Sequence, residues 1–200
     1  MRDKYAMVRA PGLSVLYLAL ASLLLAHPAF AHPGHGESGF LHPLTGPDHV
    51  LAMIGAGMWA AFLAARKPAA AVAVPLAFLV MMAFGAAAGF AGIKLPFSEA
   101  GIIASIFMLG GLVMAAVRVP TATAMLLVGW FALLHGYSHA LEAPTGDPGG
   151  YILGFLTATA LLHLVGLGLG RVVQRRTGNL GLRTLGALVM AGGALVLASH

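Results

Sequence analysis

The sequence predicts an all-α fold, a polytopic membrane helix bundle with six transmembrane helices behind a cleavable signal peptide. Three observations carry that expectation. Of 200 residues, 60% are hydrophobic and only 8% charged, whereas soluble domains carry roughly 25% charged residues; such a chain cannot cover a water-facing surface. The apolar residues fall into stretches close to the roughly 20 residues that a bilayer-spanning helix needs. The connectors between them are short and hold eight of the eleven lysines and arginines and five of the eleven prolines, which leaves no room for a separate soluble domain.

Taken in order, Arg2, Lys4 and Arg9 precede an apolar stretch from Leu13 to Ala26 that ends in Ala29-Phe30-Ala31. A basic segment, a short apolar core and a small-x-small site make a secretory signal peptide. Residues 1–31 are therefore expected to be removed, and 32–200 to form one membrane domain; an uncleaved signal-anchor is the alternative. The predicted spans are 46–65, 69–91, 99–117, 121–140, 151–170 and 182–199. They are separated by Arg66-Lys67-Pro68, Lys94-Leu95-Pro96, Arg118-Val119-Pro120, Pro144 to Gly150, and Arg171 to Arg183. Pro96 and Pro120 stand where helices are about to start. The GxxxG pairs Gly85/Gly89 and Gly166/Gly170 read as notches that let helices pack closely.

Charge tests this arrangement. With residue 32 outside the cytoplasm, the inner ends hold Arg66, Lys67, Arg118, Arg171, Arg175, Arg176 and Arg183, and the outer ends hold only Lys94. Basic residues collect on the cytoplasmic side of membrane proteins, so both mature termini are expected to be periplasmic in a bacterial inner membrane. The net charge of +5 is thus sorted by membrane side, and no nucleic-acid partner is expected. Glu37, Asp48, Glu99, Glu142 and Asp147 fall on the outer side, an acidic rim that would concentrate cations.

The chain has no cysteine but nine histidines, which excludes disulfides and thiolate metal sites. Two clusters carry candidate chemistry. His42, Asp48 and His49 lie at the outer end of the first mature span, with Pro43, Gly46 and Pro47 forming a turn that brings His42 back. His135, His139 and Glu142 lie at the outer end of the fourth. Residues four apart on a helix share a face, so His135 and His139 project together with Glu142 close by. Imidazole with carboxylate suits nickel, cobalt, zinc, copper or ferrous iron rather than calcium or magnesium. A helix-capping role for Asp48 competes with ligation. Ionisable groups in spans are costly and mark ion paths or buried partners. His163, deep in the fifth span, is either a further ligand along a path or a histidine bonded to a neighbouring helix. Met53 and Met58 are candidate path lining, with core filling the commoner role. His32 and His35 at the new amino terminus are a candidate capture arm. Pro33 has no amide proton for a terminal amide-bound metal site. Asp147, Glu99 and Glu37 read as solvated loop charges.

The pattern His42-x5-Asp48-His49 behind a signal peptide, together with His135-Gly136-x-x-His139-x-x-Glu142 on a later span, resembles the HupE/UreJ family of nickel/cobalt permeases. The resemblance covers essentially the whole mature chain. It implies nickel import that accompanies hydrogenase or urease maturation, with the motif residues falling on His42, Asp48, His49, His135, His139 and Glu142. Leu134 stands where the family usually has Phe, and Ala140 where it has Gly, which alters packing and keeps the ligands.

The expectation is secondary, ATP-independent uptake of Ni2+ or Co2+, with no permanently bound cofactor and no enzyme activity. The expected partners are the cation and the bilayer, and a homo-oligomer is left open. An intramembrane metal-dependent hydrolase built on the same His/Asp/Glu set is the alternative, although no HExxH occurs. A haem-binding subunit is a weaker rival, since these histidines keep company with acids.

Overall fold

The computed structural model describes residues 38–144 and 146–199. The signal peptide, its cleavage site, His32, His35 and Glu37 lie outside the described residues. Within them the chain is helical, with no strand: α1 (His42–Thr45), α2 (Pro47–Ala64), α3 (Ala70–Phe90), α4 (Ser98–Met114), α5 (Thr121–Glu142) and α6 (Pro148–Ser199). Four of these, α2, α3, α5 and α6, are long and apolar enough to cross a membrane, and α4 is a shorter apolar helix.

The centre of the bundle is α2. It runs apolar on all sides, and every residue from His49 to Leu63 is buried, the signature of a helix surrounded by others. Around it, α3 pairs with α5 and α6 packs on both α2 and α4. The outward faces are apolar too. Val72, Leu76, Val80 and Phe84 form an exposed stripe at four-residue spacing on α3, and Leu126 and Trp130 are exposed on α5. A soluble protein rarely exposes so much contiguous apolar surface. With the long apolar helices, this makes the chain a membrane protein.

The sequence placed a connector over Arg171 to Arg183, and this is corrected. That segment is helical throughout except at Gly178, whose φ of 63° and ψ of −149° break α6 into limbs 148–177 and 179–199. Backbone of that kind is essentially restricted to glycine. The limbs double back on each other. In a straight helix His163 and Val189 would lie roughly 39 Å apart, yet both meet α2 at one level. A Cβ at Gly57 would collide with the His163 carbonyl, and one at Gly55 would sit 3.8 Å from Val189.

Both predicted GxxxG pairs are close-approach sites. A Cβ at Gly85 would strike the Leu133 carbonyl, and one at Gly166 the Ile54 carbonyl. Met53 and Met58 are fully buried in α2, and Met58 backs onto Gly170, which makes it a packing residue.

Charge is sorted along the bundle. At one end Arg118 donates to the Phe62 carbonyl at 3.0 Å with its guanidinium 3.8 Å above the Phe62 ring, and Arg183 reaches the Ala115 carbonyl at 3.5 Å. Cations beside helix C-termini offset the partial negative charge there. The opposite end of α2 carries Asp48 and the histidines.

Candidate metal centre

The first cluster is built by a sharp change of direction. Helix α1 is a single turn, Gly46 is extended with φ −79° and ψ 110°, and Pro47 opens α2. That corner lays His42 against His49, with ring centroids 5.7 Å apart. Asp48 is not the N-cap residue of α2, a place taken by Gly46, but its carboxylate satisfies one of the free N–H groups of the first turn. It stands in the first turn, where Oδ1 accepts from the His49 backbone N–H at 2.9 Å and contacts the His49 Nδ1 at 2.8 Å.

The second cluster rides on α5, and the bundle brings it onto the first. His139 lies 4.5 Å from His49 and 5.0 Å from His42 between ring centroids, and His135 lies 5.2 Å from His49. One ligating nitrogen each from His42, His49 and His139 fall within 4.8 Å of one another. Two nitrogens on one ion are up to about 4 Å apart, twice the metal–nitrogen distance of about 2.1 Å, so a small closure gathers all three. Glu142 Oε2 lies 2.7 Å from His42 Nε2 and orients that ring. Exposure falls inward: the Glu142 side chain is 51% exposed and that of His42 23%, whereas His139 and His135 are 0% exposed.

The hydrogen bonds of the buried rings fix which nitrogens carry lone pairs. A carboxylate only accepts, so in the neutral ring His49 Nδ1 is the donor to Asp48 and Nε2 is left bare. Ser105 has one hydroxyl proton, and its Oγ donates it to the Ile102 carbonyl at 2.6 Å. At the 3.0 Å contact with His135, His135 Nε2–H must therefore donate, which leaves Nδ1 bare. His163 Nδ1 donates to the Thr159 carbonyl at 2.8 Å, which leaves Nε2 bare. All three bare nitrogens, and both nitrogens of His139, are buried without a hydrogen-bond partner. Buried polar atoms are normally paired. Metal-ligating histidines characteristically donate their other N–H to a carboxylate or carbonyl and leave the lone pair for the ion. The donor set therefore fits a divalent cation held by imidazole and carboxylate.

Of the two readings of His163, a bond to a neighbouring helix is corrected: it bonds within its own helix, one turn back. Its ring sits 4.7 Å from Phe78, which in turn lies 5.9 Å from His135, so Phe78 stands between His163 and the outer cluster. Glu99 is exposed in the first turn of α4. Asp147 is exposed but not merely solvated, because it accepts from the Gly150 backbone N–H at 3.0 Å and so caps the start of α6. Three neighbours of the centre escaped the sequence reading. Phe155 stacks on His139 at 4.7 Å and 10°, Phe78 carried no signal among many apolar residues, and Ser105 carried one, as a polar residue in mid-span.

Ser105 positions His135 and holds its tautomer. Ser105→Ala is expected to weaken metal binding by about 10- to 100-fold, as is usual for partners of metal ligands, and to cost about 1–3 kcal/mol of stability, because the His135 Nε2–H is left buried without an acceptor. Calorimetric titration of purified protein with nickel measures it, and unchanged affinity would remove Ser105 from the site.

Comparison with known proteins bears on what this arrangement serves. Residues 18–196 match the family model described as HupE / UreJ protein. The chain is 40% identical over 189 residues to "Protein HupE" of Rhizobium leguminosarum bv. viciae, covering 92% of this chain and 97% of that protein. No solved structure matches.

Proposed function

This chain belongs to the HupE/UreJ family, and we propose from that premise that it imports a divalent transition metal, nickel before cobalt, across the bacterial inner membrane for metalloenzyme maturation. The observation that carries this is the convergence of His42, His49, His135 and His139, with Asp48 and Glu142, at one end of the bundle, where His49, His135 and His139 hold buried nitrogens without a partner and ligating nitrogens of His42, His49 and His139 lie within 4.8 Å of one another. These six residues are the proposed ligands and their positioners, and the ion is cargo rather than a resident cofactor. The limbs of α6 count as separate spans, giving six. The end bearing acids and histidines faces the periplasm, and the arginine-bearing end faces the cytoplasm, as the positive-inside tendency directs. His163 is a second station deeper in the bundle, and the amino-terminal His32 and His35 are a capture arm. The family assignment gives the hydrolase alternative no support.

The route begins at the half-exposed Glu142 and His42, passes the buried His49–His139 pair and reaches His135. Each step replaces part of the ion's water shell by fixed nitrogen or oxygen. An inside-negative potential contributes about 2.3 kcal/mol per charge per 100 mV, or about 4.6 kcal/mol for a dication, so entry runs downhill without ATP.

Protons compete for the same lone pairs. Ligating imidazoles are neutral, and an unperturbed histidine titrates near about pH 6.5. Protonation thus removes ligands as pH falls.

The direct test is radioactive nickel uptake by cells that lack other nickel transporters, with cobalt and zinc as competitors. Wild type is compared with His42→Ala and Asp48→Ala at matched membrane expression. Loss in the variants supports the reading, and the competitor order names the metal. An expressed wild type that moves none of the three metals defeats it.

A further inference from the structure

The arginine-bearing end of the bundle holds a feature that metal transport does not use. A cavity of about 310 Å³ opens between the C-terminus of α2 and the first limb of α6, lined by Ala61, Ala64, Ala65, Arg171, Gln174 and Arg175 among others. That volume lies at the small end of ligand pockets, which run about 300–1,000 Å³. One wall is alanine and the rim is two guanidinium groups one helical turn apart on the same face, with an amide between them.

The basic residues at this end divide into two kinds. Arg118 and Arg183 reach helix-terminal carbonyls. Arg171 and Arg175 form no ion pair or hydrogen bond among the described residues, and the described acids, Asp48, Glu99, Glu142 and Asp147, belong to other parts of the chain. Asp48 and Glu142 pair with the histidines at the far end. Among the described residues, therefore, no counter-anion meets the two fixed positive charges of this cavity. Two spanning helices flank it, and alanine leaves room for a glycerol backbone and the first carbons of an acyl chain.

We propose that this cavity binds the head group of an anionic phospholipid, with Arg171 and Arg175 on the phosphate and Gln174 hydrogen-bonding the polar head. Basic pockets between transmembrane helices recognise anionic lipid head groups in this way, and a planar guanidinium matches phosphate oxygens in paired hydrogen bonds. The bound lipid fastens α6 to α2 at the end opposite the metal centre. The proposal is independent of the metal reading.

The test is native mass spectrometry of the purified full chain in detergent, titrated with phosphatidylglycerol and, in parallel, phosphatidylcholine. Two arginines at an anionic surface are expected to favour phosphatidylglycerol by roughly ten- to thirtyfold. The double variant R171Q/R175Q should bind the two lipids within about twofold, whereas R176Q, an exposed arginine outside the cavity lining, keeps the preference. The double variant R171K/R175K keeps the charge and should retain part of the preference, which separates head-group binding from loss of fold. Equal binding of the two lipids by wild type, or an undiminished preference in R171Q/R175Q, overturns the proposal. Displacement of phosphatidylglycerol by millimolar inorganic phosphate or by an acidic peptide also overturns it, since the ligand would then be a free anion or a protein segment.

Discussion

Substituting His139 by leucine is expected to abolish nickel uptake while leaving the protein at least as stable as wild type. The two effects separate because His139 carries two buried nitrogens without a hydrogen-bond partner in a ring stacked flat on Phe155. Leucine has a similar volume and preserves the packing, and volume-conserving changes in a core usually cost less than about 1.5 kcal/mol. Removing unpaired buried polar atoms returns about 1–3 kcal/mol of desolvation penalty. A histidine kept for structure would behave in the opposite way, because its loss would lower stability first. For uptake, loss of a ligand should exceed the 10- to 100-fold effect typical of its supporting partners, so a fall of at least about 100-fold is expected. Thermal unfolding in detergent and uptake at matched expression measure the two quantities. Retained uptake would place His139 outside the path.

The second large effect concerns Gly136, which lies between two proposed metal-site residues and contributes no ligand atom. A Cβ there would collide with the Met82 carbonyl oxygen on α3 and stand 2.9 Å from the Met82 Cα. That obstacle is backbone and cannot turn aside, so α3 and α5 must separate. Gly136→Ala is expected to cost about 1–3 kcal/mol, the usual penalty of overpacking, and Gly136→Leu to prevent accumulation of folded protein in the membrane. Because His135 and His139 ride on α5, even the alanine variant should lose metal affinity. Gly168 is the matched control, a helical glycine at which an added Cβ would meet nothing within 4 Å, and Gly168→Ala should leave melting and affinity unchanged. Equal behaviour of the two glycines would show that the α3–α5 approach is looser than its geometry.

Hydropathy located the helices well because a bilayer imposes a length on every apolar stretch, and α2, α3 and α5 begin and end within two residues of the expected bounds. The stretch from Arg171 to Arg183 misled for a physical reason. Arginine and glutamine are good helix formers, so a polar segment beyond the apolar region can stay helical. Hydropathy registers only that it is polar, and the turn is reduced to Gly178. The candidate site was legible in its parts: the four-residue spacing of His135 and His139 set their common face, and the prolines and glycine around His42 set the corner. The contact between the two clusters was not, since it depends on how α2 and α5 lie in the bundle. Nor were the partners that choose the imidazole tautomers. Ser105 acts through an oxygen whose proton is already committed to Ile102, a fact with no trace in spacing or composition.

The cluster is proposed to pass a metal ion, rather than merely bind one. Passage is tested most directly with purified protein in liposomes that enclose a nickel-sensitive dye, under an imposed inside-negative potential and with external nickel. Influx with wild type is expected to rise with the potential and to be lost in Asp48→Asn and His139→Leu. Tight nickel binding by wild type with no influx at any potential would contradict it, and would make the same residues a sensing or delivery site instead.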